Sequence, residues 1–191
     1  MAGNIAVAGC GYWGKNLVRN FAELGALHTI CDANPSVLRQ LHSSYPAVNT
    51  ETEYSQVLQN KEIKGVVIST PAILHYEMAR QALLAGKDVF VEKPLALKVE
   101  EGKELVESAE KNNQVLMVGH LLEYHPGVVK LKELIDKGEL GKIRYIYSNR
   151  LNLGQFRTEE DIMWSFAPHD ISVILLLMGG EMPEKISVHG G

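Results

Sequence analysis

With 191 residues, 46% of them hydrophobic, the chain can bury the core of one good-sized domain, or of one domain and part of another. Its formal net charge of -4, with acidic and basic residues interleaved, leaves no basic stripe for a nucleic-acid backbone or an anionic membrane, so neither is an expected partner. No apolar run approaches the roughly 18–20 residues of a membrane span, and the N-terminus enters an apolar strand with no basic n-region, which favours a cytoplasmic protein.

In chain order, short β-branched runs alternate with segments of helical period. NIAVAG (4–9) precedes a helix near 13–24, and LHTIC (27–31) precedes a helix that starts after Pro35. KGVVIST (64–70) leads to a helix near 74–85, DVFVE (88–92) to a helix near 99–112, and QVLMVG (114–119) follows. Near-continuous Val and Ile runs separated by amphipathic helices are what a parallel sheet covered on both faces demands. Residues 1–119 therefore read as a doubly wound α/β Rossmann domain. Cys10 and Cys31 end two of these strands and read as reduced core thiols, not as a disulfide or a metal site.

Beyond Gly119 the rhythm changes. A helix is expected over Pro126 to Lys137, a strand with aromatic alternation over KIRYIYSNRL (142–151), an apolar helix near Pro168 to Met178, and a last strand in EKISVHGG (184–191). Two strands and two helices leave sheet edges open, so 120–191 reads as an incomplete α+β unit with a substrate or oligomerisation role. Association into a homo-oligomer is the expected way to cover those edges.

GCGYWG places Gly9, Gly11 and Gly14 as G-x-G-x-x-G between a strand and a helix, and Asp32 ends the next strand 18 positions after the last glycine. Gly9 suits a tight turn, Gly11 lets a pyrophosphate approach the backbone, and Gly14 lets helix and strand pack closely. The helix N-terminus adds unpaired N–H groups and partial positive charge. Asp32 would bond the adenosine ribose hydroxyls and repel a 2′-phosphate, and DANPS carries no arginine, so NAD is favoured over NADP. The alternatives are a ligand-free glycine turn, and an Asp32 that merely starts the helix at Pro35.

Three motifs in order, GCGYWG, STPAILH with Thr70, Pro71 and His75, and Glu92-Lys93-Pro94 in VEKPL, make the chain resemble the Gfo/Idh/MocA oxidoreductases along essentially its whole length. The family pattern has the T-P with a nearby His after the fourth strand of the nucleotide domain and E-K-P after the fifth. The resemblance implies an NAD(P)-dependent dehydrogenase. Its cofactor contacts would come from Gly9, Gly11, Tyr12, Trp13, Gly14, Asp32, Thr70, Pro71, His75, Glu92 and Lys93. It also implies a cis Lys93-Pro94 bond and a catalytic pair, with Lys93 orienting a substrate hydroxyl and His169 taking the proton as hydride leaves the carbinol carbon. An ammonium at the C-terminal edge of a parallel sheet lies where ligands bind, and an imidazole titrating near neutrality suits a base. Taken without the family, Lys93 could sit in an ordinary solvated proline turn and His169 could be a structural residue at a helix start.

Two positions depart from the family pattern. Ser165 stands where many members that oxidise inositols or sugars carry Asp four residues before the His, leaving Ser165, Asp170 or substrate to orient His169. Glu123 in GHLLEYHP replaces a common Arg and alters the substrate wall. The wording of GHLLEYHPGVVKLKELIDKGELGKIRYIYSNRLNLG and WSFAPHDIS resembles the subgroup of nucleotide-sugar pathways, including UDP-N-acetylglucosamine-uronate 3-dehydrogenases. Tyr124, Arg150, Arg157 and Trp164 then become candidate substrate contacts, since Arg can pair with carboxylate or phosphate, although each could equally be a surface or packing residue. His120 and His125 have no carboxylate or Cys cluster around them, so no metal site is expected. The expected substrate is a sugar or nucleotide sugar, with a UDP-N-acetylhexosaminuronate first; a free aldose or inositol, or a short NAD-binding module without catalysis, are the alternatives. Family members are longer, and the chain ends after what resembles the second strand of their C-terminal sheet.

Overall fold

Small and branched apolar side chains fill the first strand, β1 (Ile5–Ala8), and Ala6 and Val7 are wholly buried on opposite sides of it. A strand covered on both faces needs helices above and below, and the computed structural model has that arrangement. It describes residues 3–151 and 162–189, and the chain divides into two compact units, Met1–Gly119 and His120–Gly191.

The first unit is a six-stranded parallel sheet of β1, β2 (Leu27–Cys31), β3 (Asn49–Glu51), β4 (Gly65–Ile68), β5 (Asp88–Val91) and β6 (Leu116–Val118), in the order β3-β2-β1-β4-β5-β6. Side chains alternate between the faces. Val7, Ile30 and Val67 pack with Leu17 and Val18 of α1 (Gly14–Glu23) and Leu38 of α2 (Pro35–Ser44). On the other face Ala6, Ala8, Val66 and Ile68 meet α3 (Tyr54–Gln59), α4 (His75–Leu84) and α5 (Val99–Lys111) through Val57, Ala79, Leu83 and Leu105. The doubly wound sheet expected for 1–119 is thus present, with β3 and α3 added to the elements read from the sequence. β3 is a short polar edge strand, NTE, whose pairing with β2 defines it, and no apolar run announces it.

In the second unit a 3₁₀ turn (Leu121–Tyr124) leads into α6 (Pro126–Asp136), which His125 caps by accepting the Gly127 N–H on Nδ1 at 3.1 Å. The helix expected from Pro168 begins six residues earlier, as α7 (Ile162–Leu177), with Pro168 inside it. Proline holds φ near the helical value and forfeits a single amide bond, so an apolar segment on both sides carries the helix through it at a local cost of about 3 kcal/mol. The strands expected at 142–151 and 184–191 are absent from the described residues. A strand exists through its neighbour's backbone, and neither segment has a ladder partner among those residues, so the aromatic alternation of KIRYIYSNRL stays unpaired. No described helix is long and apolar enough to cross a membrane.

Cys10 and Cys31 are both buried thiols. Burial, then the charge of Asp32, pushes Cys10 up to about 12; burial, then Glu51, pushes Cys31 up to about 12. The thiolate that attacks disulfides is therefore almost unpopulated in the folded chain. Ellman's reagent is expected to titrate neither cysteine in the native protein at mildly alkaline pH and both in denaturant; prompt native labelling would contradict the buried placement.

Candidate functional site

The strand order reverses between β1 and β4, and the loops after these two strands form the first wall of the site. Gly9 takes φ +84°, a left-handed conformation that a side chain rarely adopts. A Cβ on Gly14 would stand 1.9 Å from the Gly9 carbonyl oxygen, so α1 can start this close to the turn only with glycine there. Around Gly11, by contrast, nothing lies within 4 Å of a built Cβ, which leaves its backbone open to a ligand. Ser69, at the end of β4, locks the turn by donating its hydroxyl to the Gly9 carbonyl at 2.5 Å.

Asp32 completes this wall. Its Oδ2 accepts the Cys10 N–H at 2.7 Å and its Oδ1 accepts the Asn34 N–H at 2.8 Å, so the carboxylate bridges the glycine loop and the turn after β2. The cap of α2 is Asn34, which accepts the Ser36 N–H at 2.9 Å, so Asp32 is not the residue that starts that helix. A cavity of about 400 Å³ opens here, lined by Gly9, Gly11, Asp32, Thr70 and Pro71 among others. Ser69, Thr52, Tyr54, Leu74 and Met78 also line it and were missed from the sequence. Tyr54 and Met78 are fixed to each other by the Tyr54 hydroxyl, which donates to the Met78 carbonyl at 3.0 Å. Only the pairing of β3 brings Thr52 and Tyr54 to this edge, and no local motif marks them.

The second wall is the turn after β5. Lys93-Pro94 is cis, as the resemblance implies, and Lys93 is partly buried. Ahead of it, Glu92 Oε1 accepts the Trp13 indole N–H at 2.7 Å, a bond between the phosphate-type loop and the E-K-P turn. Gly119 gives the carboxylate room, since a Cβ there would come within 3.0 Å of Glu92 Oε1. Tyr12, next to Trp13, is exposed and has the Lys15 ammonium 5.4 Å from its ring centroid.

His75 behaves differently from a ligand-facing residue. It is 1% exposed, with Nδ1 2.7 Å from the Pro94 carbonyl and Nε2 2.8 Å from the Thr70 carbonyl. The cofactor contact expected of it is corrected to a bracing role, because both ring nitrogens are engaged inside the protein.

Within the second unit, His169 is partly buried on α7 and Asp170 follows it. Asp170 Oδ2 accepts Arg150 Nε–H at 2.6 Å and Oδ1 accepts the Ser148 hydroxyl at 2.9 Å. Burial alone would raise the Asp170 carboxyl, yet these two donors and the charges of Arg150 and His169 together hold it below its ordinary value. Arg150, expected at the substrate, is thus already paired to the neighbour of His169. Tyr124 and Trp164 are exposed, and Arg157 lies outside the described residues. Among the described residues no group of three or more His, Cys, Asp or Glu could hold a metal ion.

Burial pushes the Glu92 carboxyl above its ordinary value, and the Trp13 N–H, the Lys93 backbone N–H and the charges of His75 and Lys93 recover only part of that shift. A carboxylate with a raised folded-state pKa binds its proton more tightly when folded, so Glu92 favours the native state at acid pH and loses that contribution as pH rises through the raised value. Glu92→Gln keeps an oxygen for the Trp13 N–H and removes the charge. The variant is expected to melt higher than the parent at neutral pH and alike in acid, measured by thermal unfolding across pH.

A family model described as an oxidoreductase family with an NAD-binding Rossmann fold matches residues 3–120. The 2,7-anhydro-N-acetylneuraminate hydratase of Mediterraneibacter gnavus is 28% identical over 197 residues, covering 97% of this chain and 52% of its own length. The UDP-N-acetylglucosamine 3-dehydrogenase of Acidithiobacillus ferrooxidans is 27% identical over 181 residues, covering 92% and 54%. The crystal structure of an oxidoreductase from Magnetospirillum magnetotacticum MS-1 matches with TM-score 0.80 at 30% identity, over 94% of this chain and 58% of that one. The chain spans about half the length of the curated relatives it matches. With the switch-point cavity, the cis E-K-P turn and a model fit across the entire first unit, this chain belongs to the Gfo/Idh/MocA family of NAD-binding Rossmann-fold oxidoreductases.

Proposed function

We propose that the chain supplies the NAD site and the proton-handling residues of a dehydrogenase acting on a secondary alcohol of a sugar or sugar nucleotide, with a UDP-N-acetylhexosaminuronate as the leading substrate. The observation that carries the cofactor reading is the Asp32 carboxylate, held at the cavity by two backbone N–H groups. Each oxygen keeps a lone pair for one hydroxyl of an adenosine ribose, and the charge repels a 2′-phosphate. The open backbone at Gly11 and the N-terminus of α1 suit a pyrophosphate. Thr70 and Pro71 line the same cavity and flank the cofactor in this reading, with Tyr12 and Trp13 on the phosphate side.

Oxidation of a secondary alcohol takes a hydride from the carbinol carbon and a proton from its oxygen, and leaves a ketone. NAD, when bound, supplies the hydride acceptor at nicotinamide C4. Lys93 donates a hydrogen bond to the substrate hydroxyl and orients it, and the imidazole of His169 accepts the hydroxyl proton. Glu92 is a positioning group in this scheme, tied to Trp13 and preceding Lys93. With Ser165 four residues before His169, the adjacent acid is Asp170, itself clamped by Arg150 and Ser148. Tyr124, Trp164 and Arg157 remain the substrate-wall candidates. The name of the Acidithiobacillus relative supports a nucleotide sugar, and the exposed Tyr145, Tyr147, Leu151 and Ile186 support association with another copy.

Calorimetric titration is expected to give NAD a Kd about tenfold or more below that of NADP, a gap of ~1.4 kcal/mol, and Asp32→Ala is expected to close it. Equal affinity of the parent chain for both would refute the role of Asp32. Turnover is read as reduced-nicotinamide absorbance with UDP-N-acetylglucosaminuronate, and with free aldoses and inositols as the competing substrates. Lys93→Ala is expected to lose about 10²–10⁴ in kcat; full activity in that variant would sink the mechanism.

A further inference from the structure

The turn after β3 meets the cavity beside Asp32, and Glu51, the last residue of that strand, organises it. Glu51 lies in register with Cys31 of β2, and its carbonyl accepts the Asp32 N–H at 3.1 Å. Its side chain folds past the strand end, where Oε1 accepts the Thr52 N–H at 2.8 Å and the Glu53 N–H at 3.0 Å. The carboxylate therefore stands at the C-terminal edge of the sheet, where ligands bind in this architecture. Thr52 and Asp32 both line the cavity, whereas Glu51 does not and acts on an occupant only through its field.

Cys31 senses that field. It lines the same cavity, and after burial the charges that push its thiol up to about 12 are those of Glu51 first, Asp32 next and Glu53 third. At this point of the cavity wall the Glu51 charge outweighs that of Asp32. Among the described residues no ion pair includes Asp32, Glu51 or Glu53, and Arg39 of α2 donates to the Ser36 hydroxyl at 2.8 Å. A concave site flanked by several charges of one sign rejects a ligand of that sign more strongly than a single contact residue does.

We propose that Glu51 is a second specificity-determining residue of the cofactor site: its carboxylate, held over the turn that carries Thr52, acts with Asp32 to reject a dinucleotide bearing a 2′-phosphate. This rests on the reading of the cavity as the adenosine end of an NAD site. The two acids work differently. Asp32 bonds the ribose hydroxyls, so its loss weakens NAD as well as admitting NADP. Glu51 makes no such bond, so loss of its charge admits NADP and leaves NAD as it was.

Glu51→Gln keeps an oxygen for both N–H groups of the turn and removes the charge. In calorimetric titrations at low salt this variant is expected to bind NADP about three- to tenfold more tightly than the parent, with NAD affinity within about twofold. Glu53→Gln, whose charge stands third at Cys31, is expected to change NADP affinity less. Unchanged NADP affinity in Glu51→Gln, or an equal change for both dinucleotides, overturns the proposal. A second reading needs no substitution at Glu51. In Asp32→Ala the ratio of NADP to NAD affinity is expected to rise about threefold between about 50 mM and about 500 mM NaCl, as salt screens the remaining acids; a flat ratio overturns the role of Glu51. A parent chain that binds neither dinucleotide overturns the NAD reading and this one with it, whereas NAD binding with an unmoved NADP affinity in Glu51→Gln overturns this one alone.

Discussion

The close approach of three backbone segments at the β1–β4 boundary is the constraint on which the rest of the first unit depends. Gly14 sits where a methyl group would collide with the Gly9 carbonyl, and that same carbonyl takes the Ser69 hydroxyl. The contact draws the start of α1 down onto the sheet and aligns its N–H groups with the crevice that the strand order creates. Asp32 is then pulled into register by the next residue of the loop, through the Cys10 N–H. The crevice thus arises from backbone geometry first and side-chain chemistry second.

The E-K-P turn depends on the same junction through longer links. Trp13 reaches from the glycine loop to Glu92, and His75 joins the loops after β4 and β5. The His75 contacts are enclosed, where an unmatched donor or acceptor is expensive and a matched one defines a single geometry, while the Trp13 end of the other link is exposed. The raised Glu92 carboxyl is the electrostatic trace of that enclosure. Held in this way, Lys93 stands on a frame linked to the glycine loop.

In the second unit an ion pair does the comparable work. Arg150 and Ser148 lie in the segment 142–151, and both donate to Asp170, the residue after His169. An arginine read from sequence as an anion anchor is engaged in holding the neighbour of the candidate base. The backbone of that segment has no ladder partner among the described residues, consistent with strand propensity that needs a neighbour before it becomes a strand.

How much was legible in the sequence differs from element to element for physical reasons. β1, β2, β4 and β5 were readable because strands covered on both faces must be apolar throughout, and α1, α2, α4 and α5 because a 3.6-residue stripe survives in any order of assembly. The placement of GCGYWG, Asp32 and E-K-P at strand ends was readable because each lies within a few residues of its own strand. β3 was not, since a three-residue polar edge is created by its pairing partner, and with it went Thr52 and Tyr54 of the cavity. The bracing role of His75, the Trp13–Glu92 bond and the Arg150–Asp170 pair span 19, 79 and 20 residues. Sequence by itself determined the sheet class, the family and the glycine loop between β1 and α1, because those follow from local pattern. Which polar side chains line the cavity and which are consumed in holding its walls was decided by tertiary structure alone, because hydrogen-bond partners far apart in the chain are chosen by the packing that brings them within 3 Å.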